Sequence, residues 1–460
     1  MKQKTVIPSS IILLLSLLLL ITSCNKKAGH EAPSVTPATA LESYLNNRDT
    51  TFSWKLRAVT SSSLLKIYNL LLTSQTWRGI VWRHTLTVIV PEDLRYDGGL
   101  LFITGGKNKE GMPVKRSHDD EFIGMMSQIA AANHALVAIV WQVPNQPLFN
   151  DLTEDQLISY TLHQFQNDSD YSWPLLFPMV KSAVRAMDAV QELSGEKLHH
   201  TIEHFVVSGA SKRGWTTWLT GAMDQRVIAI APMVIDVLNM PVNLDYQITA
   251  WGDYSDQIED YVKLGIPQQV HTAQGNAITT MVDPYSYRHR LTLPKLIING
   301  TNDEYWPVDA IKNYLDSIPG ENFLLYVPNA GHGLDDGQEA LTSLSAFLGR
   351  TLAGKPYPVC SWSTQKGKGK VMLTVQTTPE ELLGASLWYA NSDDRDFRDE
   401  KWQEKVITTA PEATVTTVIR LPEKGYSAFF VDLKYRAPGG GSCNKSTRMF
   451  VADSSGILKN

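Results

Sequence analysis

Three residues in this chain have the types, order and settings that acyl-transfer chemistry needs: Ser211, Asp303 and His332. An alcohol is almost wholly protonated at neutral pH, so a serine becomes a nucleophile only beside a base. Histidine serves as that base, and an acid holds the imidazole in the right tautomer and stabilises its charged form. Ser211 lies in Phe205-Val206-Val207-Ser208-Gly209-Ala210-Ser211-Lys212-Arg213-Gly214-Trp215. There a β-branched run ends in small residues and a helical pattern (Trp218, Leu219, Ala222) begins. Gly209 and Gly214 would clear the cramped turn that raises a nucleophile between a strand and a helix. Arg213 stands where the commonest form of this turn has glycine, and an ordinary turn with Ser211 capping the helix is the competing reading.

Two stretches nearer the C-terminus favour the nucleophile. Pro294-Lys295-Leu296-Ile297-Ile298-Asn299-Gly300 reads as a buried strand running out to Asp303, and Phe323-Leu324-Leu325-Tyr326-Val327 as another running out to Gly331-His332-Gly333. Serine, acid and histidine, in that order and each just past a strand end, is the triad order of α/β hydrolases. Glu304 competes with Asp303 for the acid role, and Asp335 and Asp336 are more remote competitors. Alternation of side chains along an extended segment should turn Glu304 away from where Asp303 points. The oxyanion donors expected are the backbone N–H of Lys212 and a second from the loop at Gly106 or Lys107. The Lys212 side chain would attract an anionic group at the pocket mouth or remain solvated, and Arg213 would pair with a nearby carboxylate and brace the turn.

Such residues need a sheet to carry them. Strands are expected at Leu100–Gly106, Ala135–Val143, Phe205–Gly209 and Val227–Pro232, with helices at Asp119–Ala132 and Pro178–Leu193 between them. A pair of leading strands is expected within Trp77–Val90, parted near Arg83-His84. This alternation predicts an α/β fold with a mostly parallel sheet covered on both faces. About 236–290 reads as a cap insertion over the site, with aromatics that bind substrate or form its own small core. From Lys355 the texture changes to short strands, which predicts a small β-sandwich. The expected organisation is 41–354 for the α/β domain and 355–460 for the sandwich.

The chain of 460 residues begins with Lys2 and Lys4, an apolar run and Leu20-Ile21-Thr22-Ser23-Cys24. That is a secretory leader over 1–23 with a lipidation site at Cys24, followed by a polar tether over 24–40. It predicts a bacterial cell-envelope location, membrane-anchored through Cys24 and, without Asp at position 25, at the outer membrane. Of three cysteines, Cys360 and Cys443 then remain as an even pair, which predicts a disulfide. A formal net charge of -5 argues against a nucleic-acid partner. No phosphate loop or metal-ligand cluster stands out, so neither cofactor nor metal is expected.

Gly209-Ala210-Ser211-Lys212-Arg213-Gly214-Trp215-Thr216-Thr217-Trp218 resembles the signature of the PhoPQ-activated pathogenicity-related protein family. Val143-Pro144-Asn145-Gln146-Pro147, Glu154-Asp155 to Tyr160-Thr161, Pro232 to Met240, Asn302-Asp303-Glu304-Tyr305-Trp306-Pro307 and Gly331-His332-Gly333 are similar to the same family. The resemblance implies an α/β-hydrolase domain, an immunoglobulin-like C-terminal domain and an exported location. The activity expected is cleavage of a carboxylic ester or of an amide or peptide bond in a small-molecule or peptide substrate. The alternative is a surface binding or adhesion lipoprotein on a hydrolase fold that no longer turns over.

Overall fold

The computed structural model describes Met1 and residues 34–114 and 120–459, so the leader and Cys24 lie outside the described residues. After a short helix at Ala40–Leu45 come three antiparallel strands: β1 (Ser53–Ser61), β2 (Leu65–Trp77) and β3 (Ile80–Pro91). The β2–β3 turn is Arg78-Gly79, with φ of 49° and 75°, the doubly positive pair that a tight hairpin requires. The break expected near Arg83-His84 is therefore corrected, because both lie inside β3 where the two-residue alternation continues. His84 is fully buried between the Ser74 hydroxyl and the Trp141 carbonyl, each at 3.0 Å, and burial lowers its pKa to about 4.

The α/β part comes next. Its strands are β4 (Gly98–Ile103), β5 (Leu136–Val140), β6 (His204–Ala210), β7 (Val227–Met233), β8 (Lys295–Gly300) and β9 (Asn322–Val327). Its helices are α1 (Glu121–Asn133), α2 (Glu154–Asp168), α3 (Leu176–Leu193), α4 (Lys212–Met223), α5 (Met240–Trp251), α6 (Ala273–Val282) and α7 (Gln338–Leu352). The sheet order is β1-β2-β3-β5-β4-β6-β7-β8-β9, parallel from β5 to β9. Successive residues of β4 enter opposite cores, Leu101 and Ile103 on one face and Leu100 and Phe102 on the other. This is why such strands read as unbroken apolar runs. The parallel arrangement delivers the ends of β6, β8 and β9 to one edge, where Ser211, Asp303 and His332 sit.

The C-terminal part contains the strands β10 (Ser361–Gly367), β11 (Lys370–Gln376), β12 (Leu382–Ser392), β13 (Gln403–Thr408), β14 (Thr414–Arg420), β15 (Tyr426–Arg436) and β16 (Ser442–Ser446). β16, β15, β12 and β13 continue the main sheet beyond β9, joined at Leu324–Ser446, and residues from 37 onward cluster as one compact unit. β10, β11 and β14 form a second sheet, and Leu373, Val375 and Val415 share a core with Phe429, Val431 and Leu433 of the continued main sheet.

The expected Cys360–Cys443 bridge is also corrected, since both cysteines are free. Burial pushes the Cys360 thiol up to about 12 and also raises that of Cys443. Disulfide chemistry proceeds through the thiolate, which both sites disfavour.

Candidate active site

Ser211 occupies the turn between β6 and α4 with φ 58° and ψ −126°, a backbone state that costs a non-glycine residue about 1–3 kcal/mol. Its N–H donates to the Met233 carbonyl at 2.9 Å, which ties the turn to the neighbouring strand. The flanking glycines are sterically required. A Cβ on Gly209 would lie 2.9 Å from both the Arg213 and Ile103 carbonyl oxygens, and one on Gly214 2.8 Å from the Met233 carbonyl oxygen. Arg213 is accommodated because its side chain leaves the turn. Its guanidinium donates to Glu154 at 2.8 and 2.7 Å and to the Val143 carbonyl at 2.6 Å. Burial alone would raise the Glu154 pKa, but the Arg213 pairing outweighs it and lowers the value to about 2.

The loops after β8 and β9 bring the other two residues to Ser211. His332 Nε2 is 2.8 Å from Ser211 Oγ, and Nδ1 is 2.9 Å from Asp303 Oδ2. Asp303 is almost fully buried, and its Oδ1 also accepts the Tyr305 N–H at 2.8 Å. Glu304 accepts the His332 backbone N–H at 3.0 Å, while the imidazole itself bonds Asp303. Asp335 and Asp336 are exposed, and Asp336 accepts the N–H of Gln338 at the start of α7. The connection between β12 and β13 buttresses both loops. The Asn302 amide donates to the carbonyls of Phe397, Arg398 and Glu400, while Asn329 exchanges hydrogen bonds with the Trp402 backbone.

Ser211 and His332 open into a common cleft. Its walls are mainly apolar and come from α2 (Leu162), α4 (Trp215) and the insertion, which contributes Met240, Leu244 and Ile258. The insertion thus supplies part of the wall of the cleft. The Lys212 side chain is neither solvated nor free to bind an anion, since it pairs with Asp155 at 2.7 Å and more weakly with Glu154 at 3.5 Å. Asp155 also accepts the Tyr261 hydroxyl at 2.9 Å and the Tyr305 hydroxyl at 3.4 Å. The Tyr305 ring stacks on His332 with centroids 4.0 Å apart.

Roles for Asp155, Tyr261 and Tyr305 escaped the sequence reasoning. The available signals were the adjacent acids at the start of α2 and an aromatic two residues past the catalytic-type aspartate. Gly106 and Lys107 do not line the cleft: the Gly106 carbonyl accepts from Gln146 and Lys107 is exposed. Among the described residues, the group able to hold a metal ion is Asp97, Glu203 and His204. His204 begins β6, at the opposite end of that strand from Ser211.

A family model described as "PhoPQ-activated pathogenicity-related protein" matches residues 41–398. Autocrine proliferation repressor protein A of Dictyostelium discoideum is 32% identical over 433 residues, covering 86% of each chain. Among solved structures, the acetyl xylan esterase of Paenibacillus sp. R4 aligns with TM-score 0.47 and 12% identity, covering 66% of this chain and 91% of that one. The Pyrococcus horikoshii acylaminoacyl peptidase aligns with TM-score 0.39 and 13% identity, covering 67% of this chain and 43% of that one.

Proposed function

The chain belongs to the PhoPQ-activated pathogenicity-related protein family, and from that premise we propose that it is a serine hydrolase cleaving a carboxylic ester or amide through an acyl-enzyme. The observation that carries this reading is the unbroken line from Ser211 Oγ through the His332 ring to the Asp303 carboxylate, with contacts of 2.8 and 2.9 Å.

In the first half-reaction Ser211 Oγ attacks the substrate carbonyl carbon while His332 Nε2 takes the hydroxyl proton. Asp303 accepts the Nδ1–H bond, which keeps the Nε2 lone pair facing Ser211 and stabilises the imidazolium once formed. Lys212 begins α4, so its N–H has no partner within the helix and is available to the developing oxyanion. His332 returns the proton to the leaving oxygen or nitrogen as that bond breaks. Water then attacks the acyl-enzyme carbonyl while His332 takes one of its protons, and as the bond to Ser211 Oγ breaks His332 returns that proton to Oγ, releasing the acid product and free Ser211. The leader ending in Cys24 supports an enzyme exported to the cell envelope and anchored there by lipid. Replacement of Ser211 by alanine should lower ester turnover by about a thousandfold or more without altering the circular dichroism spectrum. Turnover near wild type in that variant would remove the nucleophile assignment.

A further inference from the structure

We propose, resting on the serine-hydrolase reading above, that the substrate group seated in the cleft is uncharged and apolar, and that Asp155 sets this preference by neutralising Lys212. Beyond Ser211 and His332, the charged side chains lining the cleft are Asp155 and Lys212. They answer each other at 2.7 Å, with side-chain exposures of 15% and 11% that place both largely out of water. Glu154 is the second carboxylate near Lys212, but it is engaged by Arg213 through two close contacts. Asp155 is therefore the principal counterion of Lys212, and the two acids and two bases around the elbow sum to no net charge.

A charged substrate group entering this apolar space would lose its hydration and find no unpaired partner. An uncharged one displaces water from apolar walls, which is favourable. Asp155 also joins the parts of the site. It takes the hydroxyl of Tyr261, from the insertion, and that of Tyr305, whose ring lies on His332. The wall of the cleft, the base and the elbow thus meet at one carboxylate.

The test uses ester pairs matched in length and differing only in a terminal carboxylate. One pair carries the variable group on the acyl side and the other on the alcohol side. For the pair whose variable group seats in the cleft, wild-type kcat/KM should favour the uncharged ester by about a hundredfold. Asp155→Asn keeps the shape but leaves Lys212 without its main counterion, and should shrink that ratio by about tenfold or more. Adding Lys212→Met to that variant should restore the ratio. Should Asp155→Asn fail to fold, Lys212→Met alone reads the same pair from the other side, because it leaves a lone carboxylate and should widen the ratio.

Equal turnover of both members of both pairs by the wild type would overturn the proposal, as would a ratio unmoved in every variant that folds. A small uncharged fluorophosphonate keeps the two readings apart. Labelled enzyme with no charge preference removes only the inference, whereas no labelling and no hydrolysis of any ester removes the serine-hydrolase reading and this one with it.

Discussion

Exchanging Asp303 for asparagine should disable the site through the tautomer of His332. Asp303 Oδ1 already accepts the Tyr305 N–H at 2.8 Å, and Oδ2 faces His332 Nδ1 at 2.9 Å. In an asparagine of the same shape the amide oxygen must stay on the Tyr305 N–H, so the amide NH₂ is left facing Nδ1. Donation from that NH₂, the closer contact since the Oδ1 position is 3.1 Å from Nδ1 and the Oδ2 position 2.9 Å, puts the ring proton on Nε2, the atom 2.8 Å from Ser211 Oγ. The base then presents a proton where it needs a lone pair, and the imidazolium also loses its negative partner. The analogous change in a well-studied triad costs about four orders of magnitude in kcat, equivalent to roughly 5.5 kcal/mol at about 1.4 kcal/mol per tenfold. The assay is steady-state hydrolysis of a chromogenic ester, with thermal melting to confirm the fold. Glu304→Gln is the control, because its side-chain oxygen can still accept the His332 backbone N–H, and a loss of only a few fold is expected. Asp303→Asn within about tenfold of wild type, or Glu304→Gln as the more damaged variant, would refute the reasoning.

The same geometry sets three further outcomes. Glu154 has a folded-state pKa lowered from 4.5 to about 2, so its contribution to stability is full above the unfolded value and drains away as pH falls toward 2. Melting temperature should therefore fall less steeply below about pH 5 in Glu154→Gln than in the wild type, and parallel curves would contradict the assignment. Asn302→Ala removes three hydrogen bonds to the 397–400 segment beside Asp303 and should lower kcat by about ten- to a hundredfold with a small change in KM; unchanged kcat would show that the connection between β12 and β13 does not position the acid. Cys360 and Cys443 should both be alkylated in unreduced, denatured protein, and a mass two hydrogens lighter with neither alkylated would restore the bridge.

The residues with chemistry were legible because each is tied to a local rule. Gly209 and Gly214 are demanded by the Ser211 turn, and the runs before Asp303 and His332 are apolar because β8 and β9 are covered on both faces. The features that escaped were set by contacts distant in sequence. The Leu324–Ser446 pairing that carries the main sheet into the C-terminal strands leaves no periodicity in either strand, so it has no local signal. Asp155 is an ordinary first-turn acid of α2 until folding sets Lys212, Tyr261 and Tyr305 around it. The hairpin at Arg78-Gly79 does carry a local signal, the glycine two residues past Trp77, whereas the polar pair Arg83-His84 is no break because its partners lie elsewhere in the chain.

The central claim is that Ser211 is a nucleophile activated by His332, and the most direct test is the site of covalent capture. Purified protein treated with a fluorophosphonate and mapped by tandem mass spectrometry should carry one adduct per chain, on Ser211. That adduct should be absent from His332→Ala under the same exposure. An adduct on another residue, or none on wild-type protein with its fold intact, would contradict the account.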